Sequence, residues 1–342
     1  MRVATFNLLH GVPLRDRLGP VVPPAEEVQP ADGPPADRSP AGSATASADG
    51  APDAAPTVAP QAAGLDPTQR NRWMPDVDGV VDLLRAADEL QQDGPLDILA
   101  LQEVDRHQPR SARADQAGAL AEHIGARWWR FVPSVRGTPG IAAEGASWVP
   151  ATEADDRPEG DGDQDAVTDE GPRYGVALLS RWPVRAWRVR RFPPAPVSLP
   201  LMAPTAGRPR AVRVPDEPRS AVAAVVEAPH CDITIATAHL TFVPGYNTRQ
   251  LADLRAFLAG MPRPLILLGD FNLPGGIPNL VTGWQQVARV PTYPVAKPRV
   301  QFDHILADGW SPEKLAEARS TARAVPLPVS DHCALLAEFP EP

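Results

Sequence analysis

The chain has little lysine, little cysteine and no long apolar run. Of 33 basic residues only Lys297 and Lys314 are lysines, so nearly all positive charge is arginine. The planar guanidinium fork matches phosphate geometry, although the codon bias of a GC-rich genome accounts for most of the excess. Cys231 and Cys333 are the two cysteines. They lack a CxxC spacing, which argues against a zinc site or a disulfide framework, and both lie by apolar strand-like runs as small buried hydrophobes would. No stretch approaches the roughly 18 apolar residues of a membrane span. No secretory h-region is visible, and a cytoplasmic protein is expected.

Aromatics are missing altogether from residues 20–66, which are mostly Pro, Ala, Gly, Ser, Asp and Thr. Such a segment buries too little surface to offset its ordering entropy. It reads as a disordered insertion, as does 140–172 with its acidic centre. The proline-rich stretch 193–218 reads as an irregular loop. The chain carries −9 overall, but the first two segments hold −6 and −9, so the other 262 residues carry +6. A mildly basic folded part with acidic insertions does not exclude a nucleic-acid partner, but it contains no long basic stripe.

Those 262 residues alternate between strand and helix patterns. Helical spacing marks 77–92, 115–125 and 247–260; apolar or alternating runs mark strands at 1–7, 97–101, 128–133, 174–180, 184–192, 220–228, 231–238, 265–269, 301–307 and 333–339. Many strands in consecutive pairs with few helices indicate a single α/β domain over 1–342.

Six of these runs end in polar residues: Phe6-Asn7, Gln102-Glu103, Ala238-His239, Gly269-Asp270-Phe271-Asn272, Phe302-Asp303-His304 and Ser330-Asp331-His332. Apolar strands normally end in turn formers. Repeated endings in carboxylate, amide or imidazole point to strand tips meeting in one pocket, with a donor inventory suited to a hard divalent cation and a phosphate ester. Asp270 and Asn272 lie two apart, so on an extended tip both face the same way. Alone, Gly-Asp-Phe-Asn is equally well a turn, and Ser-Asp-His is weaker still. His304 follows Asp303 and should point to the opposite face in a structural role.

The ordered set Asn7, Glu103, His239, Asp270-x-Asn272, Asp303 and Asp331-His332 resembles the endonuclease/exonuclease/phosphatase superfamily. That resemblance implies a four-layered α-β-β-α sandwich of two packed, mostly antiparallel sheets flanked by helices. It implies a divalent-metal-dependent phosphoester hydrolase using Mg²⁺ or Mn²⁺. Glu103, Asn7, Asp331 and Asp270 are the expected metal-site residues. Asp270 would activate water, Asn272 and His239 would steady phosphoryl oxygens, and His332 would contact the scissile phosphate or act as base, oriented by Asp303. Tyr174 and Arg249 are secondary candidates; Arg106 and Arg110 either bind phosphate or form a solvated loop. The substrate is a nucleic acid, a lipid head group or a small phosphorylated metabolite, and a monomer is expected. The competing class is a non-catalytic descendant that binds a phosphorylated ligand or a protein.

Overall fold

The computed structural model describes residues 1–9, 77–139, 147–155, 171–203 and 210–341. The chain divides into a unit made of Met1–Leu18 with Pro75–Pro342 and a segment Gly19–Met74. The expected insertion at 20–66 lies outside the described residues, as do 140–146 and 156–170 of the acidic stretch.

In chain order the elements are β1 (Arg2–Asn7), α1 (Val77–Leu90), β2 (Ile98–Arg106), α2 (Gln116–Ile124), β3 (Trp128–Thr138), β4 (Ser147–Pro150), β5 (Arg173–Ser180) and β6 (Val184–Phe192). Then follow β7 (Ser198–Ala203), β8 (Arg210–Pro215), β9 (Arg219–Glu227), β10 (Asp232–His239), α3 (Tyr246–Leu258), β11 (Leu265–Asp270) and α4 (Ile277–Thr282). The last are β12 (Gln285–Gln286), β13 (Asp303–Asp308), α5 (Pro312–Thr321), β14 (Arg323–Val325) and β15 (Ala334–Glu338). Among the described residues these strands form a seven-stranded sheet, ordered β14-β15-β1-β2-β5-β3-β4, and a six-stranded sheet, ordered β12-β13-β11-β10-β9-β6.

The period-2 alternation of a strand explains the layering. Val3, Ile98, Ala100, Val176 and Leu178 of the first sheet meet Val222, Ala224, Ile235, Ile266 and Leu268 of the second in a central core. Their neighbours in sequence point outward. Ala4, Leu99, Leu101 and Leu179 pack under α1 and α2 through Leu83, Ala87, Leu120 and Ile124. Ala236, Ala238, Leu265 and Leu267 pack under α3 through Leu251, Leu254 and Leu258. Each of those buried leucines stabilises the layer by about 1.5–3 kcal/mol. The result is the expected α-β-β-α sandwich.

Two expectations need correction. The 193–218 stretch is not wholly irregular: β7 and β8 pair antiparallel from Ser198↔Pro215 to Ala203↔Arg210. Two prolines, Pro200 and Pro215, fall within this hairpin, which among the described residues pairs with no further strand. Within 140–172, β4 adds to the edge of β3, and Asp155 closes a turn by accepting the Thr152 N–H at 2.7 Å. Helix α5, missed in the sequence, carries a start signal: Ser311 caps it by accepting the Lys314 N–H, with proline in the first turn. No helix among the described residues is long and apolar enough to cross a membrane.

Strand direction positions the site. Each sheet contains one parallel pair, β1 with β2 and β10 with β11. Their neighbours β15, β5, β9 and β13 run antiparallel to them. Carboxyl ends of the parallel strands therefore share one edge with the amino ends of their neighbours. Asn7, Glu103, His239 and Asp270 come from the former; Asp303 and the Asp331-His332 approach to β15 come from the latter.

Candidate active site

Glu103 sits in a register shift between Leu101 and Val104 where β2 leaves its pairing with β5. Its φ is +54°, a left-handed conformation that costs a non-glycine residue on the order of 1 kcal/mol and collects at functional sites. The bulge breaks the alternation, so adjacent residues serve different ends. Gln102 turns into the core: Thr5 Oγ1 donates to its Oε1 at 3.1 Å, and its Nε2 donates to Thr237 Oγ1 at 2.9 Å. All three are fully buried, and Thr237 belongs to the other sheet. This polar bridge ties the two sheets together one or two residues behind Asn7, Glu103 and His239.

Asn7 joins two carboxylates. Its Oδ1 accepts the Leu9 N–H at 3.0 Å, which leaves Nδ2 to donate to Glu103 Oε1 at 3.2 Å and to Asp270 Oδ2 at 3.0 Å. The other Asp270 oxygen accepts the Asn272 N–H at 2.9 Å. The tip is thus a turn, not the extended segment expected from the spacing, and Asn272 has φ +50°. An Asp side chain that bonds the backbone two residues on explains the turn. Gly269 precedes it at φ +143°, where a Cβ would meet the Ala238 carbonyl oxygen at 2.1 Å; only glycine allows β10 and β11 this approach.

His332 Nδ1 and Asp303 Oδ2 lie 2.8 Å apart, while His332 Nε2 is 3.9 Å from Asp270 Oδ2. Burial opposes protonation of His332, but Asp303, Asp270 and Asp331 outweigh it and raise its pKa to about 10. Burial raises Asp270 to about 7, with Asp303 adding to the rise and His332, the Asn272 N–H and Asn7 opposing it. Tyr293 packs its ring 4.9 Å from that of His332. His239 is 3.8 Å from Asp270, and Asn272 Nδ2 reaches its Nε2 at 3.4 Å while also donating to the Leu240 carbonyl at 3.0 Å.

The structure therefore brings Asn7, Glu103, His239, Asp270, Asn272, Asp303 and His332 into one connected cluster, with the Asp331 carboxylate near enough to act on His332 and Tyr293. Tyr174 is buried, and burial followed by Glu103 and Glu217 raises its pKa. Arg249 stands apart: it is exposed, lies over Tyr246 at 5.8 Å and shares no hydrogen bond or ion pair with the cluster. The same helix instead supplies Asn247, whose Nδ2 donates to the Asn272 carbonyl at 2.9 Å. Arg110 is no solvated loop residue; it makes a two-pronged pair with buried Asp105 at 2.8 and 2.7 Å and lies over the Tyr174 ring. His304 is packed behind the site, with Nε2 on the Leu273 carbonyl at 2.8 Å and its ring stacked on Phe271. Burial lowers its pKa to about 4.

Sequence reasoning missed Arg219. It begins β9, is only 5 % exposed, and sets Nη1 3.0 Å from His239 Nδ1. The same Nη1 lies 3.4 Å from His239 Nε2, so the guanidinium meets the edge of the ring between its two nitrogens. The signal was topological: β9 runs antiparallel to β10, so its first residue falls at the site edge beside His239.

The donors fit an oxygen-preferring divalent ion. Glu103 and Asp270 bracket one amide, and one donor atom each of Asp270, Asp303 and His332 lie within 4.8 Å of one another. Asp303 Oδ1 is buried without a hydrogen-bond partner. No thiolate competes, because burial and then Asp303 raise the Cys333 thiol to about 11.

Two mixed sheets packed face to face, with acids, amides and imidazoles gathered at one edge, define an α/β sandwich with a polar strand-tip site. The chain belongs to the Endonuclease/Exonuclease/phosphatase family, whose profile matches residues 4–332. Similar solved structures include an endonuclease/exonuclease/phosphatase family protein from Leptotrichia buccalis, at 15% identity and TM-score 0.44 over 77% of this chain and 93% of that one. Sphingomyelinase C from Streptomyces griseocarneus matches at 15% identity and TM-score 0.43 over 79% and 97%. A mannosyl-6-phosphatase from Bacteroides thetaiotaomicron matches at 12% identity and TM-score 0.43 over 76% and 91%. No curated protein matches the sequence.

Proposed function

We propose that the protein is a divalent-metal-dependent phosphoester hydrolase in which a water attacks phosphorus in line with the leaving oxygen. The observation that carries this reading is the linked set Asn7–Glu103 and Asn7–Asp270 with Asp303–His332 beside it. It joins a pair of oxygen ligands to a proton-handling pair in one buried space.

Glu103 and Asp270 would hold the metal with Asn7, and Asp331 nearby, in keeping with Mg²⁺ or Mn²⁺. The bound ion would offset phosphate charge and lower the pKa of water. Asp270 takes the proton of the attacking water. Asn272 and His239 donate to the non-bridging oxygens. His332, kept protonated by Asp303, places a positive charge beside the phosphate and carries a proton toward the leaving oxygen. Arg219 adds a permanent charge on the far side of His239. Tyr174 borders the same space. The protein acts as a cytoplasmic monomer in this proposal.

The test is turnover of bis-p-nitrophenyl phosphate by the full chain with Mg²⁺ or Mn²⁺, then with chelator. Hydrolysis abolished by chelator is expected. Absence of turnover with every metal would sink the hydrolase reading in favour of a binding module.

A further inference from the structure

The segment 289–300, Arg-Val-Pro-Thr-Tyr-Pro-Val-Ala-Lys-Pro-Arg-Val, contains three cations, three prolines and no acid. It folds back on itself as a finger. The Thr292 N–H donates to the Val300 carbonyl at 2.9 Å, and the Arg299 N–H donates to that of Tyr293 at 2.8 Å. Prolines restrict the backbone further, so its shape is set in advance of any ligand. The finger is fastened to the site. The Val295 N–H donates to the Asp331 carbonyl and the Cys333 N–H to the Thr292 carbonyl, both at 2.7 Å, with the Tyr293 ring against His332 between them.

Against the finger lies the loop that continues from Asn272. Between them runs a groove of about 510 Å³ lined by Gly275, Gly276, Gln286, Arg289, Arg299 and Gln301. Its ends are close to the chemistry in sequence, Gly275 three residues after Asn272 and Gln301 two before Asp303. Arg289, Lys297 and Arg299 are exposed, and among the described residues none of their side chains makes an ion pair or a hydrogen bond. Two arginines of β6 contrast with them. Arg185 meets Glu227 and Asp232, and Arg190 meets Asp253 at 2.6 Å. Two unneutralised guanidiniums lining one groove repel each other, a cost that an anion removes.

We propose that this groove is a subsite for a second phosphate of the substrate, next to the one that is cleaved. Guanidiniums recognise phosphate through paired charge-assisted hydrogen bonds, and both line the same groove. A substrate with two or more phosphates fits, whether a nucleic-acid strand or a small bisphosphorylated molecule; a head group whose other end is cationic is repelled. The inference rests on the hydrolase reading only for where the scissile phosphate sits.

The test is calorimetric binding to the full-length protein in chelator, which silences hydrolysis, with inorganic pyrophosphate, a short single-stranded oligonucleotide and phosphocholine as probes. Wild type should bind pyrophosphate or the oligonucleotide more tightly than phosphocholine. The double variant Arg289→Gln, Arg299→Gln should weaken that binding roughly tenfold or more, as loss of hydrogen bonds to charged groups does. Which probe responds tells a small molecule from a strand. Wild type that binds neither polyanion, or prefers phosphocholine, overturns the subsite, as does a folded variant that binds as wild type does. Arginine-dependent binding in a protein that hydrolyses nothing would sink the hydrolase reading and leave the groove standing.

Discussion

The two parallel strand pairs use one topological device for different chemistry. At the β1–β2 tip, Asn7 ends β1 and a bulge in β2 presents Glu103 in a strained conformation. At the β10–β11 tip, a glycine permits close approach and an Asp-centred turn follows, beside an antiparallel neighbour that supplies Asp303. The first tip presents Glu103 beside Asn7. At the second, burial and then Asp303 raise Asp270 to about 7, and His332, raised to about 10, reaches it from the approach to β15, the antiparallel neighbour of β1. Parallel strands supply a common edge for functional groups, and the antiparallel neighbours β13 and β15, one from each sheet, bring Asp303 and His332 together at it.

If the Asp303–His332 pair beside the second tip handles protons, His332→Ala should show the largest effect. Turnover of bis-p-nitrophenyl phosphate should fall by roughly 10²–10⁴-fold with an unchanged fold by circular dichroism. Activity equal to wild type would remove His332 from the proposed proton transfer.

The scaffold behind that tip should be acid-sensitive. Neutral His304 has a folded pKa of about 4 against 6.5 for the free side chain. The unfolded chain therefore binds more protons between these values, and stability, complete above pH 6.5, declines as pH falls toward 4. The loss attributable to this residue is at most about 3 kcal/mol. Denaturation midpoints from pH 7 to 4 should show it, and His304→Gln should flatten the slope; an equally steep variant would remove His304 as the cause.

The bridge joining the tips is tested by Gln102→Met, which keeps the volume and strands the Thr5 and Thr237 hydroxyls. About 2 kcal/mol of stability should be lost in chemical denaturation, and a variant as stable as wild type would show that the sheets need no such tie. At the first tip, Glu103→Gln removes one charge from the expected metal site. The Mg²⁺ or Mn²⁺ concentration for half-maximal activity should rise roughly tenfold, since nearby unit charges at a protein surface interact by a few kcal/mol. An unchanged titration would exclude Glu103 as a ligand.

The three layers of core were legible because alternation along β1, β2, β9 and β11 is a local property of strands. The polar strand endings were legible because each departs from ordinary turn chemistry. Arg219, Tyr293 and Asn247 were not, because nothing in their own neighbourhoods distinguishes them; each gains its place from a strand, finger or helix distant in sequence. The β7–β8 hairpin was hidden by prolines, which weaken strand propensity without forbidding an isolated pair.

By itself the sequence determined which acids, amides and imidazoles exist, their order, and that strands would carry them. Only the tertiary structure decided which strands run parallel, where β2 bulges, and so which carboxylate meets which amide. The reason is physical: alternation fixes the face a side chain takes within its own strand, whereas register and direction between strands come from pairing with segments distant in sequence.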